Sequence, residues 1–554
     1  GLFFAMYVKR CVLVFRFILI LFFVLLLRFA YLQTVKSGNM AKAAAIQRIS
    51  ETQLEKKRGN ILDRNGISFT NRTGKSYAVL KPLLLSKNNT NLLKISYLLN
   101  IDYETMHESI RSNKAPIVIE IDENIRDAVL SLNEPGVTVV DSLKRYDSGT
   151  IARHIIGYLN GKDQIGAAGI EKSYDSILKS NSISYVGIVR DGANNPVQGL
   201  GYRIVNSDED KIQNIVLTLD YHIQKIAEDI MEKNNIKGAV VIEDVRTGDI
   251  LAMASKPDYD QNDIGSYLHS GDNELFNRAV ASYNAGSIFK IIDTALVLEN
   301  NPYYYNRDYC SGFVEIKDLV FGCSRSEGHG YIDLEQAFAS SCNSYFINLA
   351  LELGSKDIIN MASKFGLGKV TGLNEDGIDE STGNLPDPDR NFTDGDTANI
   401  SIGQGDIMVT PVQVANIAAI IANDGIRNSV NLVDSIVDNE GNVIKNLRKN
   451  EKVRVISVQT ARRIKSMMEI VTTENGTAPK ANIEEYGGSG GKTGSAEGPY
   501  VNGEKIVHAW FCGYFPKETP RYAMSVFVEN GKYGGEAAAP IFAEIAKAMI
   551  KKGY

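Results

Sequence analysis

Residues 283–300 read YNAGSIFKIIDTALVLEN, and this stretch with its flanks decides how the chain is organised. It predicts the start of a helix with Ser287 and Lys290, three positions apart, on one face and one turn from each other. Upstream, GAVVIEDVRTGDILAMAS (238–255) reads as two apolar strands around the turn Arg246-Thr247-Gly248-Asp249. Far downstream, WFCGYFP (510–516) and AMSVFVENG (523–531) supply two more. Strands come first and last with helical sequence between, which is an α+β pattern. The unit opens near residue 214, where NIVLTLDYHIQKIAEDIMEKN reads as a strand running into an amphipathic helix after the charged stretch SDEDK (207–211). Before it, residues 34 to about 210 mix β-like runs such as APIVIEID (115–122) and GVTVVDSLKRY (136–146) with short helical pieces and turns.

Composition bounds the reading. The chain has 554 residues, 44% hydrophobic and 23% charged, which suits a folded, mainly soluble protein and excludes a disordered or collagenous one. With 60 basic and 66 acidic side chains, net −6, nothing in the charge balance favours nucleic acid as a partner. The run CVLVFRFILILFFVLLLRFAYL (11–32) has the length a bilayer core requires and lacks a small-x-small cleavage pattern after it. It reads as an uncleaved single-pass anchor, which puts everything after residue 33 outside the cell membrane if Lys9, Arg10 and Arg16 stay in the cytosol. Domain boundaries are therefore expected at 1–33 (cytoplasmic stub and anchor), 34–210 and 211–554.

A serine hydroxyl is inert at its free pKa, so Ser287 needs a proton acceptor, and a desolvated Lys290 amine can serve. S-x-x-K alone is a weak signal, equally a helix-starting serine and a solvated lysine. Two further elements follow in order: Ser341-Cys342-Asn343, then Lys492-Thr493-Gly494-Ser495 within GGSGGKTGSAEG. Together they form the S-x-x-K, S-x-N, K-T-G set of serine acyl-transfer enzymes. The Ser341 hydroxyl can pass a proton between Lys290 and a leaving amine, and the Asn343 amide can hold a substrate backbone group. Lys492 supplies positive charge, Thr493 and Ser495 supply hydroxyls, and Gly494 lets a substrate strand approach closely.

On these residues the sequence resembles the class B penicillin-binding proteins, the monofunctional peptidoglycan D,D-transpeptidases, over nearly its whole length. KKRGNILDRNG (56–66) is similar to the family's entry segment after the anchor, and GAAGIEKSYD (166–175) with Arg190-Asp191 to its non-catalytic pedestal, or dimerisation domain. SIGQGDIMVTPVQVANIAAIIANDG (401–425), IVTTENGTA (470–478) and HAWFCGYFP (508–516) match further transpeptidase signatures. The resemblance implies an elongated α+β pedestal followed by a β-lactamase-like domain, a central antiparallel sheet flanked by helices. It implies Ser287 as acyl-enzyme nucleophile, Lys290 as base and an oxyanion hole from the Ser287 and Ser495 backbone N–H groups. The donor would be a stem peptide ending in D-Ala-D-Ala, and β-lactams would acylate the same serine. Ala285 and Ser495 stand where the family more often has proline and threonine; both keep the chemistry. No glycosyltransferase module precedes the pedestal, so the resemblance implies a membrane glycan polymerase as partner, among divisome, elongation or sporulation proteins. The competing readings are a β-lactam-hydrolysing enzyme and a scaffold or sensor with a vestigial serine.

Between the first two motifs, Asp308, Cys310, Cys323 and His329 fall within 22 positions. Thiolates, imidazole and carboxylate are zinc ligands, and four of them close a structural tetrahedral site. A Cys310–Cys323 disulfide or two free thiols are the alternatives. Asp318 is the alternative carboxylate ligand and Cys342 the alternative thiolate for the same set, although Cys342 also reads as packing. Asp333 with Gln336 reads as an N-terminal cap for the helix leading to Ser341. His508 reads as packing against the strands, and Cys512 and Cys11 as inert.

Overall fold

The structure is a computed structural model that describes residues 2–34, 49–85, 91–112, 115–134, 136–161, 164–189, 202–206, 212–501 and 503–554. Arg190-Asp191 and SDEDK lie outside these residues. Helix α1 (Leu2–Thr34) contains Leu13–Tyr31, a segment long and apolar enough to cross a bilayer, with its side chains exposed.

Compactness divides the chain into two units, and the division interleaves in sequence. The first comprises 1–57, 74–143 and 181–211; the second 58–73, 144–180 and 212–554. The first is α+β. Its strands β1 (Ile49–Arg58), β2 (Thr73–Leu80), β3 (Ile117–Ile121), β4 (Val137–Lys144), β5 (Lys179–Val189) and β6 (Tyr202–Asn206) form two three-stranded sheets, ordered β1-β5-β6 and β3-β2-β4. Ala78, Leu80 and Ile121 of the second sheet share a small core with Met106 and Ile110 of α2 (Tyr103–Ser112) and Val129 of α3 (Glu123–Ser131).

Buried charge holds the early segments of the second unit together. The Arg58 guanidinium donates to Glu171 at 2.6 Å and Asp175 at 2.7 Å. Arg145 and the Tyr146 hydroxyl meet the other Glu171 oxygen at 2.7 and 2.8 Å. Glu171 is wholly buried, so its charge depends on these two arginines, and losing both would strand it.

The second unit is built on five antiparallel strands. They are β7 (Gly238–Asp244), β8 (Ile250–Lys256), β9 (Gly490–Val501), β10 (Glu504–Phe515) and β11 (Tyr522–Val528), in spatial order β8-β7-β11-β10-β9. Two strands from before the helical stretch meet three from after it, as the strand-first, strand-last pattern predicts. Side chains alternate across a strand, and each face takes its own helices. Phe511 and Phe515 pack on Phe542 of α9 (Ala539–Lys551). On the opposite face, Cys512 and its cross-strand partner Ser525 donate to the Val414 and Pro411 carbonyls of α8 (Pro411–Ala422). Helix α4 (Tyr221–Lys233), capped by the Asp220 carboxylate, packs with α9 and against β8. The strand carrying Lys492-Thr493-Gly494, β9, lies at the sheet's edge, leaving a row of main-chain groups open to pairing.

Glu243 of β7 is wholly buried, with its carboxyl accepting from Asn416 of α8 at 3.1 Å. Burial pushes its pKa up to about 8 from 4.5. The folded chain therefore holds a proton that the unfolded chain releases between these values, and stability from this group falls as pH rises through that window. Glu243→Gln is expected to stabilise the fold progressively from pH 5 to pH 8, by on the order of 2–3 kcal/mol at pH 7, with a melting temperature that rises above the parent's accordingly. Thermal melts of both proteins across that range check it; a difference independent of pH contradicts it.

Candidate active site

Ser287 is half-buried in a 3-10 turn, Gly286–Phe289, that runs directly into α5 (Lys290–Asn300). The turn is pinned from two sides. Gly286 has φ +56°, its N–H donates to the Gly403 carbonyl at 2.9 Å, and an added Cβ would lie 2.6 Å from the Ser495 carbonyl oxygen. Only glycine allows strand β9 and the loop at 401–405 to approach this closely. Trp510 of β10 also ties in, its indole N–H donating to the Asn284 carbonyl at 3.1 Å.

Ser341 arrives from a different direction. Helix α6 (Leu334–Ala339) begins with the anticipated reciprocal cap between Asp333 and Gln336 and ends just before Ser341, which sits at φ +56°. A left-handed non-glycine residue costs of order 1–2 kcal/mol, and the contacts around it hold it there. The Lys290 amine donates to the Ser341 carbonyl and the Asn343 amide oxygen, both at 2.7 Å, and lies 3.2 Å from the Ser341 hydroxyl. Lys492, paired across the strands with Cys512, donates to the same hydroxyl at 2.9 Å and to the Thr493 carbonyl at 3.2 Å. Thus three separate stretches of sequence meet at one oxygen atom. The Thr493 hydroxyl is 2.6 Å from that of Thr477, while Gly494 and Ser495 continue the edge strand beside the Ser287 turn.

Both amines are wholly buried. Burial lowers Lys290 to about 8, against smaller opposing contributions from Cys342, Cys323 and Asp293. Burial, then the Lys290 charge, lowers Lys492 well below the usual lysine range. Two ammonium groups desolvated around one hydroxyl are unfavourable, so the arrangement favours losing one proton. A neutral Lys290 has two N–H donors, which the Ser341 carbonyl and Asn343 amide oxygen satisfy, and one lone pair left for a hydroxyl.

Asn343, at the start of α7 (Asn343–Leu353), spends its amide N–H on the Gly322 carbonyl at 2.9 Å. That carbonyl belongs to the loop read as a metal site. Cys310, Cys323, His329 and Cys342 bring their ligand atoms within 4.8 Å of one another. The His329 Nδ1 lies 3.5 Å from the Cys310 sulfur and 3.6 Å from that of Cys323, and the Cys323 and Cys342 sulfurs are 3.7 Å apart. A tetrahedral zinc with bonds of about 2.3 Å separates its sulfurs by about 3.8 Å. The donor set and its spacing fit the ion. All of these cysteines are free thiols.

The fourth member is Cys342, not Asp308. Asp308 and Cys310 share one face of a short strand directed at α7, where Cys310 meets Ser344 and Asp308 meets Asn348, one helical turn further on. The two-residue advance of the strand carries the Asp308 carboxyl past the thiols. Cys342, the alternative thiol, also read as packing because it is the middle residue of the Ser341-Cys342-Asn343 triplet; its sulfur caps α7 by accepting from the Tyr345 N–H at 3.5 Å and faces the loop as well. Asp318 also lies outside the cluster. His508 packs edge-on to Tyr283 and against Phe527, and Cys512 is buried against α8, as their contexts predict. Thr477 was not singled out, although its place in IVTTENGTA marked the segment.

Residues 238–547 match the family described as the penicillin binding protein transpeptidase domain, and residues 53–198 match the penicillin-binding protein dimerisation domain. The chain is similar to stage V sporulation protein D of Bacillus subtilis, at 29% identity over 97% of this chain and 85% of that protein. It is also similar to the peptidoglycan D,D-transpeptidase MrdA of Acinetobacter baumannii, at 26% identity over 93% of this chain and 84% of that protein. A solved structure described as "Structural coordination of polymerization and crosslinking by a peptidoglycan synthase complex" superposes with a TM-score of 0.72 at 25% identity, covering 97% of this chain and 98% of that one. If Thr477 orients the Thr493 hydroxyl, Thr477→Val is expected to slow acylation by benzylpenicillin about tenfold without lowering the melting temperature, the loss of one hydrogen bond. Stopped-flow labelling of both proteins reads this.

Proposed function

Because more than half of this chain belongs to the penicillin-binding protein transpeptidase family, we propose that it cross-links peptidoglycan as a D,D-transpeptidase through an acyl-enzyme on Ser287, with Lys290 as base. The observation that carries the assignment of roles is the meeting of Lys290, Lys492 and Ser341 at one hydroxyl. In this reading a stem peptide ending in D-Ala-D-Ala pairs its backbone with the open edge of β9. Its terminal carboxylate is held by Thr493 and Ser495 beside Lys492. Lys290 takes the Ser287 proton as the oxygen attacks the penultimate carbonyl, and the Ser287 and Ser495 backbone N–H groups hold the oxyanion. Ser341 gives its proton to the leaving D-Ala amine and is resupplied from Lys290, which restores the neutral base. The acceptor amine of a neighbouring strand then resolves the ester.

Single-pass anchorage by α1, with the remainder of the chain outside the cytoplasm, would bring the site to its polymer. A membrane glycan polymerase is the partner this arrangement calls for.

Zinc held by Cys310, Cys323, His329 and Cys342 would be structural, since four protein ligands leave no open position. It would fix Cys342, and with it Ser341 and Asn343 on either side.

Two measurements test these assignments. Acylation by a fluorescent penicillin is expected to rise about tenfold per pH unit below pH 8 and level off above it, as Lys290 loses its proton, and to vanish in Ser287→Ala. A label retained by that variant overturns the site. Purified protein is expected to carry one equivalent of zinc, lost in Cys323→Ser together with most of the acylation rate; zinc-free protein with full activity after metal-replete expression overturns the metal assignment.

A further inference from the structure

A carboxamide can hold a substrate carbonyl only if its nitrogen, rather than its oxygen, faces the incoming chain. The Asn343 oxygen accepts from Lys290 at 2.7 Å and its nitrogen donates to the Gly322 carbonyl at 2.9 Å. These two partners do not constrain it equally. An amine that gains and loses a proton can donate or accept, so Lys290 alone would tolerate either end of the amide at some stage of the reaction. A carbonyl only accepts, so Gly322 requires the nitrogen at every stage. The nitrogen carries two N–H groups, and among the described residues Gly322 is its one acceptor, which leaves the second for a substrate. Gly322 is exposed, and a Cβ added there would meet nothing within 4 Å, so this contact borders open space.

Gly322 ends a hairpin of two strands, Phe313–Ile316 and Leu319–Gly322. Val314 lies across from Phe321 and Ile316 from Leu319, which puts these four side chains on one face. That face is seated. Ile316 is buried with Ile347 of α7 and Ala398 of the helix Asp394–Ser401, and Val314, Phe321 and Ile402 pack around them. Ile347 follows Asn343 by four positions, on the same face of α7, so a hairpin seated on Ile347 runs beside Asn343. The Cys323 N–H closes the hairpin's base on the Gly312 carbonyl at 2.8 Å. Ile402 precedes Gly403, the partner of Gly286, so the same apolar seat joins the helix that starts at Asn343 to the loop against the Ser287 turn.

We propose that Gly322 is a positioning residue for the acyl-transfer reaction: its carbonyl, placed by the seat of the hairpin on α7, fixes the Asn343 carboxamide with one N–H turned to the substrate. The group it would receive is the carbonyl of the peptide bond before the penultimate D-Ala. This deepens the assignment of Ser287 and Asn343 made above and rests on it. Gly322 itself touches neither the substrate nor the moving protons.

The test is stopped-flow acylation of the full-length protein and of Phe321→Ala and Val314→Ala by two β-lactams. Benzylpenicillin carries an acylamino side chain, whose carbonyl stands in for that peptide bond; imipenem carries a hydroxyethyl group in its place. Each variant is expected to lose about tenfold in acylation efficiency toward benzylpenicillin, the loss of one hydrogen bond, in the binding constant rather than the limiting rate. Imipenem is expected to change less than about twofold, since it offers no carbonyl to Asn343. Phe321 and Val314 are each only half-buried, and melting temperatures report that the variants are folded. Toward benzylpenicillin, Phe321→Ala is expected to add no further loss once Asn343→Ala is present, because the two act through one amide. Equal losses for both drugs, an unchanged benzylpenicillin rate in a folded variant, or additive losses in the double variant overturns the proposal and leaves Ser287 in place. A second measurement needs no variant. In a crystal structure of the parent's benzylpenicillin adduct the Gly322 carbonyl stays on the Asn343 nitrogen beside the drug's acylamino carbonyl; a Gly322 carbonyl displaced from it overturns the proposal. A parent protein that takes no label at Ser287 overturns the site assignment and this inference with it.

Discussion

Two lysine amines and one serine hydroxyl, all removed from water, share a single hydrogen-bonded cluster at Ser341, and the rest of the catalytic unit is arranged to keep them there. In bulk solvent each amine would carry its own proton and hydration shell. Inside the protein that state is penalised, and burial moves both lysines toward the neutral form that acid–base chemistry at a serine requires. The hydrogen bonds from Lys290 to two carbonyl-type oxygens then define where its lone pair can point.

The scaffold serves this cluster by close approach and local strain. Lys492 comes from an edge strand, Lys290 from the first residue of a helix, and Ser341 from a left-handed residue between two helices. Gly286 and the 401–405 loop let these backbones touch, and the thiol–imidazole cluster holds the loop that receives the Asn343 amide. Cys342 of that cluster stands between Ser341 and Asn343, so ordering the loop and ordering the Ser341 hydrogen-bond cluster are one structural problem.

Much of this was legible in residue order. Ser287, Lys290, Ser341, Asn343 and Lys492 carry spacings that follow from what the chemistry needs, and the strand-first, strand-last pattern anticipated the sheet. The cap at Asp333 was legible because capping is local. What escaped was set by tertiary geometry. Cys342 rather than Asp308 joins the thiol cluster because of how a short strand advances against a helix, which no spacing rule encodes. Segments 58–73 and 144–180 are joined to each other at Glu171 by Arg58, across more than a hundred residues of sequence, and by Arg145, and they meet the catalytic unit where the Asn60 N–H donates to Asn214 and the Ala152 N–H to Glu228. Ser287 sits on a 3-10 turn rather than in the helix proper.

The most direct measurement is a crystal structure of the protein after reaction with a penicillin. The account predicts continuous density from the Ser287 oxygen to the opened lactam, the drug's carboxylate on Thr493 and Ser495, and both the Lys290 and Lys492 nitrogens within hydrogen-bond reach of the Ser341 hydroxyl. Density on another residue, or the two amines separated from Ser341 around the bound adduct, would contradict it.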